Sequence, residues 1–135
     1  DALDPTLQSA QRIALSNGYD SFLMFNVYAQ RATRPNDMER VCNEALHRAN
    51  MEAFDYILSL SEQPAVWAAW GNIIEQRAYL KDCLADMIAI GERHGAQWYT
   101  AGRRSVKGHP HHPLYLKATS PLDAFDIRAY CAECL

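Results

Sequence analysis

Glycine-rich phosphate motifs are absent from this sequence of 135 residues. Neither G-x-G-x-x-G nor G-x-x-x-x-G-K-S/T occurs, so a dinucleotide-binding fold and a P-loop nucleotidase both lack their signature. The G-x-S-x-G elbow of the α/β-hydrolases is absent as well, which leaves a Ser-His-Asp hydrolase unsupported. No motif therefore points to a bound cofactor, and none is expected.

Long apolar runs are also missing, because none approaches the roughly 18 to 20 residues that span a bilayer. The first residues, DALDPTLQ, are acidic and polar, unlike a signal peptide. The four cysteines, Cys42, Cys83, Cys131 and Cys134, are too few and too scattered for a disulfide framework. We therefore expect a reduced, cytoplasmic protein with no membrane partner.

Acidic residues are absent from one long stretch of the chain. Between residues 93 and 122 there are five basic residues, no acid, and four of the five histidines. Because the whole chain has a formal net charge of −3, the remainder carries −8. Such a stretch is either an ordinary solvated face or a surface that meets phosphate, since Arg and Lys donors compensate the desolvation of an anion.

The remaining composition is that of a globular domain. The chain is 49% hydrophobic and 21% charged, which suits a single domain with one core over residues 1–135. Capping signals and apolar spacing predict helices over residues 5–17, 38–60, 72–94 and 122–135. The second region is expected to split near residues 47–50, where the apolar phase slips. The third has one apolar stripe, which we expect to pack on the sheet beside Met24 and Val66: Leu80, Leu84, Met87 and Ile88.

Short apolar runs that do not alternate with polar residues predict buried strands of a parallel sheet. They cover residues 22–28, 65–70 and 97–101, with residues 114–116 as a candidate fourth strand. Helix and strand alternate, and the crossovers are long enough for parallel pairing. The expected fold class is α/β: three-layer, with a mostly parallel central sheet flanked by helices. Since the alternation begins inside a helix, either a strand precedes Asp1 or this is a shortened variant.

Polar, cationic and aromatic residues follow each predicted strand. In a parallel sheet, ligands bind beyond the carboxyl ends of the strands, so these residues are candidates for one pocket that takes a phosphate-bearing ligand. The candidates are Asn26, Arg31, Arg34, Trp70, Gly71, Asn72, Arg103, His109, His112 and Tyr115. Within this set, Trp70 would offer a stacking face, and Asn72 would begin a helix with free N–H groups.

Each candidate also has a purely structural interpretation. Asn26 could fix a loop, and Arg31 and Arg34 could be surface charges. The triplet Trp70-Gly71-Asn72 could be only a strand-to-helix turn. We expect glycine to be required at position 71 because a Cβ there would crowd either the tight turn or a ligand that approaches the backbone. The sequence leaves these alternatives open.

The stretch GHPHHPLYLK, residues 108–117, contains three histidines and two prolines within five residues. It could be a metal site, a ligand-binding loop or a stiff connector. Zinc would require help from Cys131-x-x-Cys134, but alternating His-Pro is not a zinc-ligand pattern and a single C-x-x-C is weak. No metal site is expected.

Four blocks of the sequence are familiar in this order: Asp4–Thr6, Asn26–Thr33, Ala68–Gly71 and His109–Leu116. Together they resemble the bacterial and phage family named domain of unknown function 1643, and the likeness covers nearly the whole chain. Members usually begin with a buried strand that ends in Asn-Pro-Ser, which is missing here. Gln8 and Ser9 stand where arginines are common, and His111 stands where an arginine is typical.

A more distant likeness is to the uracil-DNA glycosylase superfamily, which has a three-layer α/β plan and a late His-Pro loop. This likeness implies a nucleic-acid- or nucleotide-binding protein with a glycosylase-like reaction on a nucleobase. His112 would then donate to a developing anion, and Asn26 would read the base edge. The alternative is a non-catalytic binding or protein-interaction module, a phage or defence factor that retains the fold and could form a homodimer.

Overall fold

The computed structural model describes residues 5–28 and 39–135. The helices are α1 (Pro5–Ser16), α2 (Glu44–Ser59), α3 (Ala78–Arg93) and α4 (Ile127–Cys134), with a short 3₁₀ helix over Gly71–Glu75. The strands are β1 (Ala65–Trp67), β2 (Gln97–Ala101) and β3 (Leu122–Ala124). None of the helices within these described ranges is long and apolar enough to cross a membrane.

The three strands form one sheet with β2 in the centre. β1 pairs with β2 in parallel, with Val66 opposite Trp98, and α3 makes the crossover between them. β3 pairs with β2 antiparallel, with Thr100 opposite Asp123. The α/β class is thus confirmed. A three-layer, mostly parallel sheet is not, because one of the two strand pairings in the described part of the chain is antiparallel.

α3 lies between two groups of buried side chains. Leu80, Leu84 and Ile88 pack in a cluster with Trp98 of β2 and with residues of α4. Met87 and Ile90 pack with α2 in a second cluster. Gly91 lets the helix approach the sheet closely, because a Cβ at this position would collide with the Trp98 ring. The four predicted stripe residues are all buried, and Gly95 follows the helix with φ +66°.

α2 is one helix, so the expected split near residues 47–50 is wrong. Asn43 caps it by accepting a hydrogen bond from the Leu46 N–H. The buried residues His47, Met51, Phe54 and Leu58 make one continuous stripe. His47 belongs to this stripe because its Nε2 lies 2.8 Å from Asp86 Oδ2 on α3. The polar side chain of His47 interrupts the apolar spacing in the sequence, but its partner on α3 allows it to be buried within one continuous helix.

The expected strand over residues 22–28 is also wrong. Phe22, Leu23 and Met24 are exposed, so Met24 does not join the core as predicted, whereas Val66 does. Phe25 packs edge-to-face on Phe54, with 5.3 Å between the ring centroids. Tyr28 is buried, and its hydroxyl accepts a hydrogen bond from the Asn43 N–H. The run is therefore held by side chains at its C-terminal end instead of by a neighbouring strand.

The C-terminal third also departs from the prediction. Residues 114–116 form a turn instead of a strand, and β3 and α4 replace one weak helix. Asn17 joins α1 to the approach to β3: its Nδ2 donates to Ser120 O at 2.9 Å, and its Oδ1 accepts from Leu122 N–H at 3.0 Å. Asp126 caps α4 through the Ala129 N–H.

Replacing Leu84 by alanine tests the position of α3. The side chain is fully buried, so Leu84→Ala should lower the free energy of unfolding by about 2 to 5 kcal/mol in a urea titration. Leu60→Ala is the matched control, because this leucine is 64% exposed and its loss should change stability by less than about 0.5 kcal/mol. Equal effects of the two substitutions would show that α3 is peripheral.

Candidate functional site

An open groove of about 860 Å³ lies beyond the carboxyl ends of β1 and β2. Because these strands are parallel, the segments that follow them reach the same edge of the sheet. The His-Pro segment supplies the remaining wall. The lining residues are Gly71, Asn72, Arg103, Arg104, Ser105, Val106, Pro110, His111 and His112.

Hydrogen bonds between the connections fix the shape of the groove. Gly71 has a φ of +64°, and its N–H donates to Pro110 O at 3.0 Å. The Ser105 hydroxyl donates to Asn72 Oδ1 at 2.8 Å and accepts from the His109 N–H at 3.1 Å. The Ser105 N–H in turn donates to His109 O at 2.9 Å. All three segments are thus joined to one another, with Ser105 at their junction.

The wall that follows β2 is positively charged. Arg103 and Arg104 are both exposed, and the Arg104 guanidinium lies over the Phe125 ring, 5.6 Å from its centroid. Within residues 5–28 and 39–135, neither arginine forms an ion pair with a carboxylate. Arg93 and Arg128, by contrast, pair with Asp55 and Glu92. No carboxylate of the described residues therefore neutralises the two guanidinium groups of this wall.

A buried chain of hydrogen bonds lies beneath the groove. Trp70 Nε1 lies 2.9 Å from the Tyr130 hydroxyl, which is 2.7 Å from His109 Nδ1. His109 Nε2 is 2.7 Å from Glu75 Oε2, and Lys81 Nζ is 3.4 Å from Glu75 Oε1. His109 and Tyr130 are fully buried, whereas the Glu75 side chain is one-third exposed. We call these five residues the Trp70–Lys81 relay.

The direction of the relay follows from the chemistry of its first member. An indole N–H can only donate, so the Tyr130 oxygen accepts from Trp70, and its own proton can be donated to His109 Nδ1. In that arrangement His109 has a proton on Nε2 and donates it to the Glu75 carboxylate. Both ring nitrogens of His109 have a hydrogen-bond partner, so this histidine ties the His-Pro segment to Tyr130 and to Glu75.

The pKa shifts agree with this direction. Burial raises the pKa of Tyr130 to about 12, so its hydroxyl keeps the proton that it donates. The hydrogen bond from His109 lowers the pKa of Glu75, and the neighbouring Lys81 lowers it further. The carboxylate and the ammonium group of the relay therefore both lie at its partly exposed end.

The structure brings some of the predicted site residues together and separates others. Gly71, Asn72, Arg103 and His112 line the groove, while Trp70 and His109 lie beneath it in the relay. The Trp70 ring packs on Phe125 and Tyr130, so it supports the groove from below. Asn72 belongs to a 3₁₀ helix of only five residues, which is too short for the expected helix-end anion site.

The other candidates that the structure describes do not line the groove. Asn26 is exposed and does not line the groove; its backbone oxygen accepts a hydrogen bond from Asn50 of α2. Tyr115 is 91% exposed on the turn that follows His112. Arg31 and Arg34 lie outside the described residues.

Sequence reasoning missed Glu75, Tyr130 and Ser105. Glu75 and Tyr130 are 34 and 21 residues from His109 along the chain, and no motif links them. The only local signal is the density of polar groups around His109. Such groups need hydrogen-bond partners when they are buried, but the sequence does not show which residues these are. Across the described residues, no group of three or more His, Cys, Asp or Glu side chains could hold a metal ion.

The fold and the groove define a small α/β protein with a basic groove at the ends of two parallel strands. A family model described as "Protein of unknown function (DUF1643)" matches residues 1–114, and the chain belongs to this family. The match includes the three segments that line the groove and ends before Tyr115, β3 and α4. No match was found among curated proteins or among solved structures.

Substitution of Gly71 tests the turn between β1 and the 3₁₀ helix, which is hydrogen-bonded to the His-Pro segment. An added Cβ would lie 3.6 Å from His112 Cβ, an ordinary contact, so the cost arises from the positive φ. Gly71→Ala should therefore lower the free energy of unfolding by about 1 to 2 kcal/mol, measured by urea titration. Gly71→Asn should cost less, because asparagine tolerates the left-handed region. Unchanged stability of the alanine variant would contradict this explanation.

The lowered pKa of Glu75 predicts a dependence of stability on pH. The stabilisation is fully present above the ordinary carboxyl pKa of 4.5 and is lost as the pH falls through the lower pKa of the folded state. Glu75→Gln keeps an acceptor for His109 but removes the titration. Its free energy of unfolding should therefore fall less steeply than that of the unmodified protein as the pH drops below 4.5.

Urea titrations at a series of pH values measure this difference. Glu52→Gln on the exposed face of α2 is the control and should follow the unmodified protein. Parallel curves for Glu75→Gln and the unmodified protein would rule out the ionised Glu75–His109 contact.

Proposed function

We propose that the groove binds a phosphate-bearing ligand, a nucleotide or a nucleic acid. The observation that carries this proposal is the pair of adjacent, exposed arginines, Arg103 and Arg104, in a wall without acids. Neither is neutralised by a carboxylate in the described part of the chain. A phosphate accepts paired hydrogen bonds from a guanidinium, so this wall suits it better than a neutral ligand.

The surroundings of the arginines support the same ligand. The acid-free stretch from residue 93 to residue 122 gives the groove a positive potential, although the chain as a whole has a formal net charge of −3. Lys107 adds a further exposed cation two residues beyond Ser105. A local positive field on an acidic protein favours association with an anion at this face over others.

The geometry supports binding more strongly than a glycosylase-like reaction. His109 has both ring nitrogens occupied by Tyr130 and Glu75. His112, the proposed proton donor, does line the groove, but Asn26, the proposed reader of the base edge, does not. Since a base-excising site needs both functions at one place, a non-catalytic binding module is the form of the proposal that we favour.

Binding of a fluorescein-labelled oligonucleotide at several salt concentrations tests the proposal. The affinity should fall as salt rises, because neutralised phosphates release their counterions. Arg103→Ala should weaken binding and reduce the slope of log K against log salt by roughly 0.7 to 1, the loss of about one phosphate contact.

Arg48→Ala is the matched control, since this exposed arginine lies on α2 and does not line the groove. It removes the same charge and should leave both affinity and slope unchanged. If the Arg103 and Arg48 variants bind alike, or if the affinity does not depend on salt, the groove is not a phosphate site.

A further inference from the structure

Tyr115 has a backbone conformation that tyrosine rarely adopts. Its φ is +69°, and it is the single residue other than glycine with a positive φ among the residues that the structure describes. The Leu116 N–H donates to Pro113 O at 3.2 Å, so residues 113–116 form a β-turn with Tyr115 at its third position. A positive φ at this position is typical of a type II turn, which strongly prefers glycine or asparagine there.

The tyrosine ring contributes nothing visible to the core. The residue is 91% exposed, and no hydrogen bond or ring contact joins it to any other residue within 5–28 and 39–135. A large aromatic side chain therefore occupies a strained position without a packing benefit. A residue held in such a position is a reason to look for a binding role.

Both ends of the turn are fixed beside the groove. Pro113 is buried, and the Leu114 N–H donates to His112 Nδ1 at 3.3 Å. Leu116 packs on Gly102, where an added Cβ would collide with its side chain. Because three residues of extended chain span at most about 11 Å, the Tyr115 backbone lies within that distance of His112 in the groove wall. The turn that carries Tyr115 is thus anchored beside the groove wall, because Gly102 immediately precedes Arg103.

We propose that Tyr115 is a stacking platform for an unpaired nucleobase, and that the ligand of the groove is single-stranded nucleic acid. This inference rests on the proposed function and adds the class of ligand. The arginines contact phosphates, which every nucleic acid offers. A solvent-exposed aromatic ring gains most from a base that is not already stacked within a duplex, and such stacking tolerates any sequence.

Glycine at position 115 separates this role from a structural one. Tyr115→Gly removes the ring and also relieves the turn, so the urea midpoint should stay equal or rise. The same variant should bind a labelled twelve-residue oligothymidylate about fivefold to a hundredfold more weakly, the range expected for loss of one base–aromatic stack. Tyr115→Phe keeps the ring and should bind like the unmodified protein.

The matched probe is an abasic oligomer with the same length, charge and label. Tyr115→Gly should bind this probe as tightly as the unmodified protein does, because no base is present to stack. A duplex that contains the same labelled strand should likewise show no difference between the two proteins. Tyr56→Ala, which removes another exposed tyrosine, on α2, should leave the affinity for all three probes unchanged.

Two kinds of failure can be told apart. If the unmodified protein binds neither the oligothymidylate nor the abasic oligomer, the phosphate site itself is wrong. If it binds both and Tyr115→Gly weakens neither, or weakens both equally, the groove binds phosphate but Tyr115 does not stack on a base. Loss of binding in Tyr115→Phe would also overturn the proposal, because the hydroxyl and not the ring would then be responsible.

Discussion

The hydrogen bond from the Trp70 indole to the Tyr130 hydroxyl begins the chain of contacts on which the floor of the groove depends. Since an indole N–H can only donate, Tyr130 accepts from it; the same hydroxyl contacts His109 Nδ1, and His109 Nε2 contacts Glu75. Each buried polar group of this relay has a partner of the opposite kind. That matters energetically, because one unsatisfied buried donor or acceptor costs about 1 to 3 kcal/mol.

The relay also explains why the charges of this region lie where they do. Its single carboxylate lies one-third exposed next to Lys81. The positive charges of Arg103 and Arg104 lie in the groove wall. The carboxylate and the ammonium group of the relay thus both keep contact with water, which lowers the cost of desolvating them. His109 holds the relay together through Tyr130 and Glu75, although the His-Pro context in the sequence first suggests a residue that contacts a ligand.

Features with local causes could be predicted from the sequence, and features that depend on distant partners could not. The sequence predicts β2 at its observed bounds, and it predicts the buried stripe of α3. Both features are encoded locally, by the apolar spacing and by Gly95. Residues 22–28 have the composition of a strand but no strand partner among the described residues, so composition alone misled. His47 resembled a break in a helix because its partner, Asp86, is 39 residues away.

The residues of the candidate site also fall into those that the sequence predicts and those that depend on distant partners. Convergence of Gly71, Asn72, Arg103 and His112 could be anticipated, since parallel strands bring the segments after them to one edge. The floor of the groove could not, because Glu75 and Tyr130 meet His109 only through the tertiary fold. The positive φ of Tyr115 could not be predicted either, because residues 113–116 contain no glycine or asparagine, the residues that indicate a turn of this type.

The position of Tyr130 in the chain has a consequence for biosynthesis. It follows every other member of the relay, and 21 residues separate it from His109. At roughly 5 to 20 residues per second, a ribosome needs about 1 to 4 s to add that interval. Until then, Trp70 and His109 lack the hydroxyl that joins them, so the groove acquires its floor only after its walls have been made.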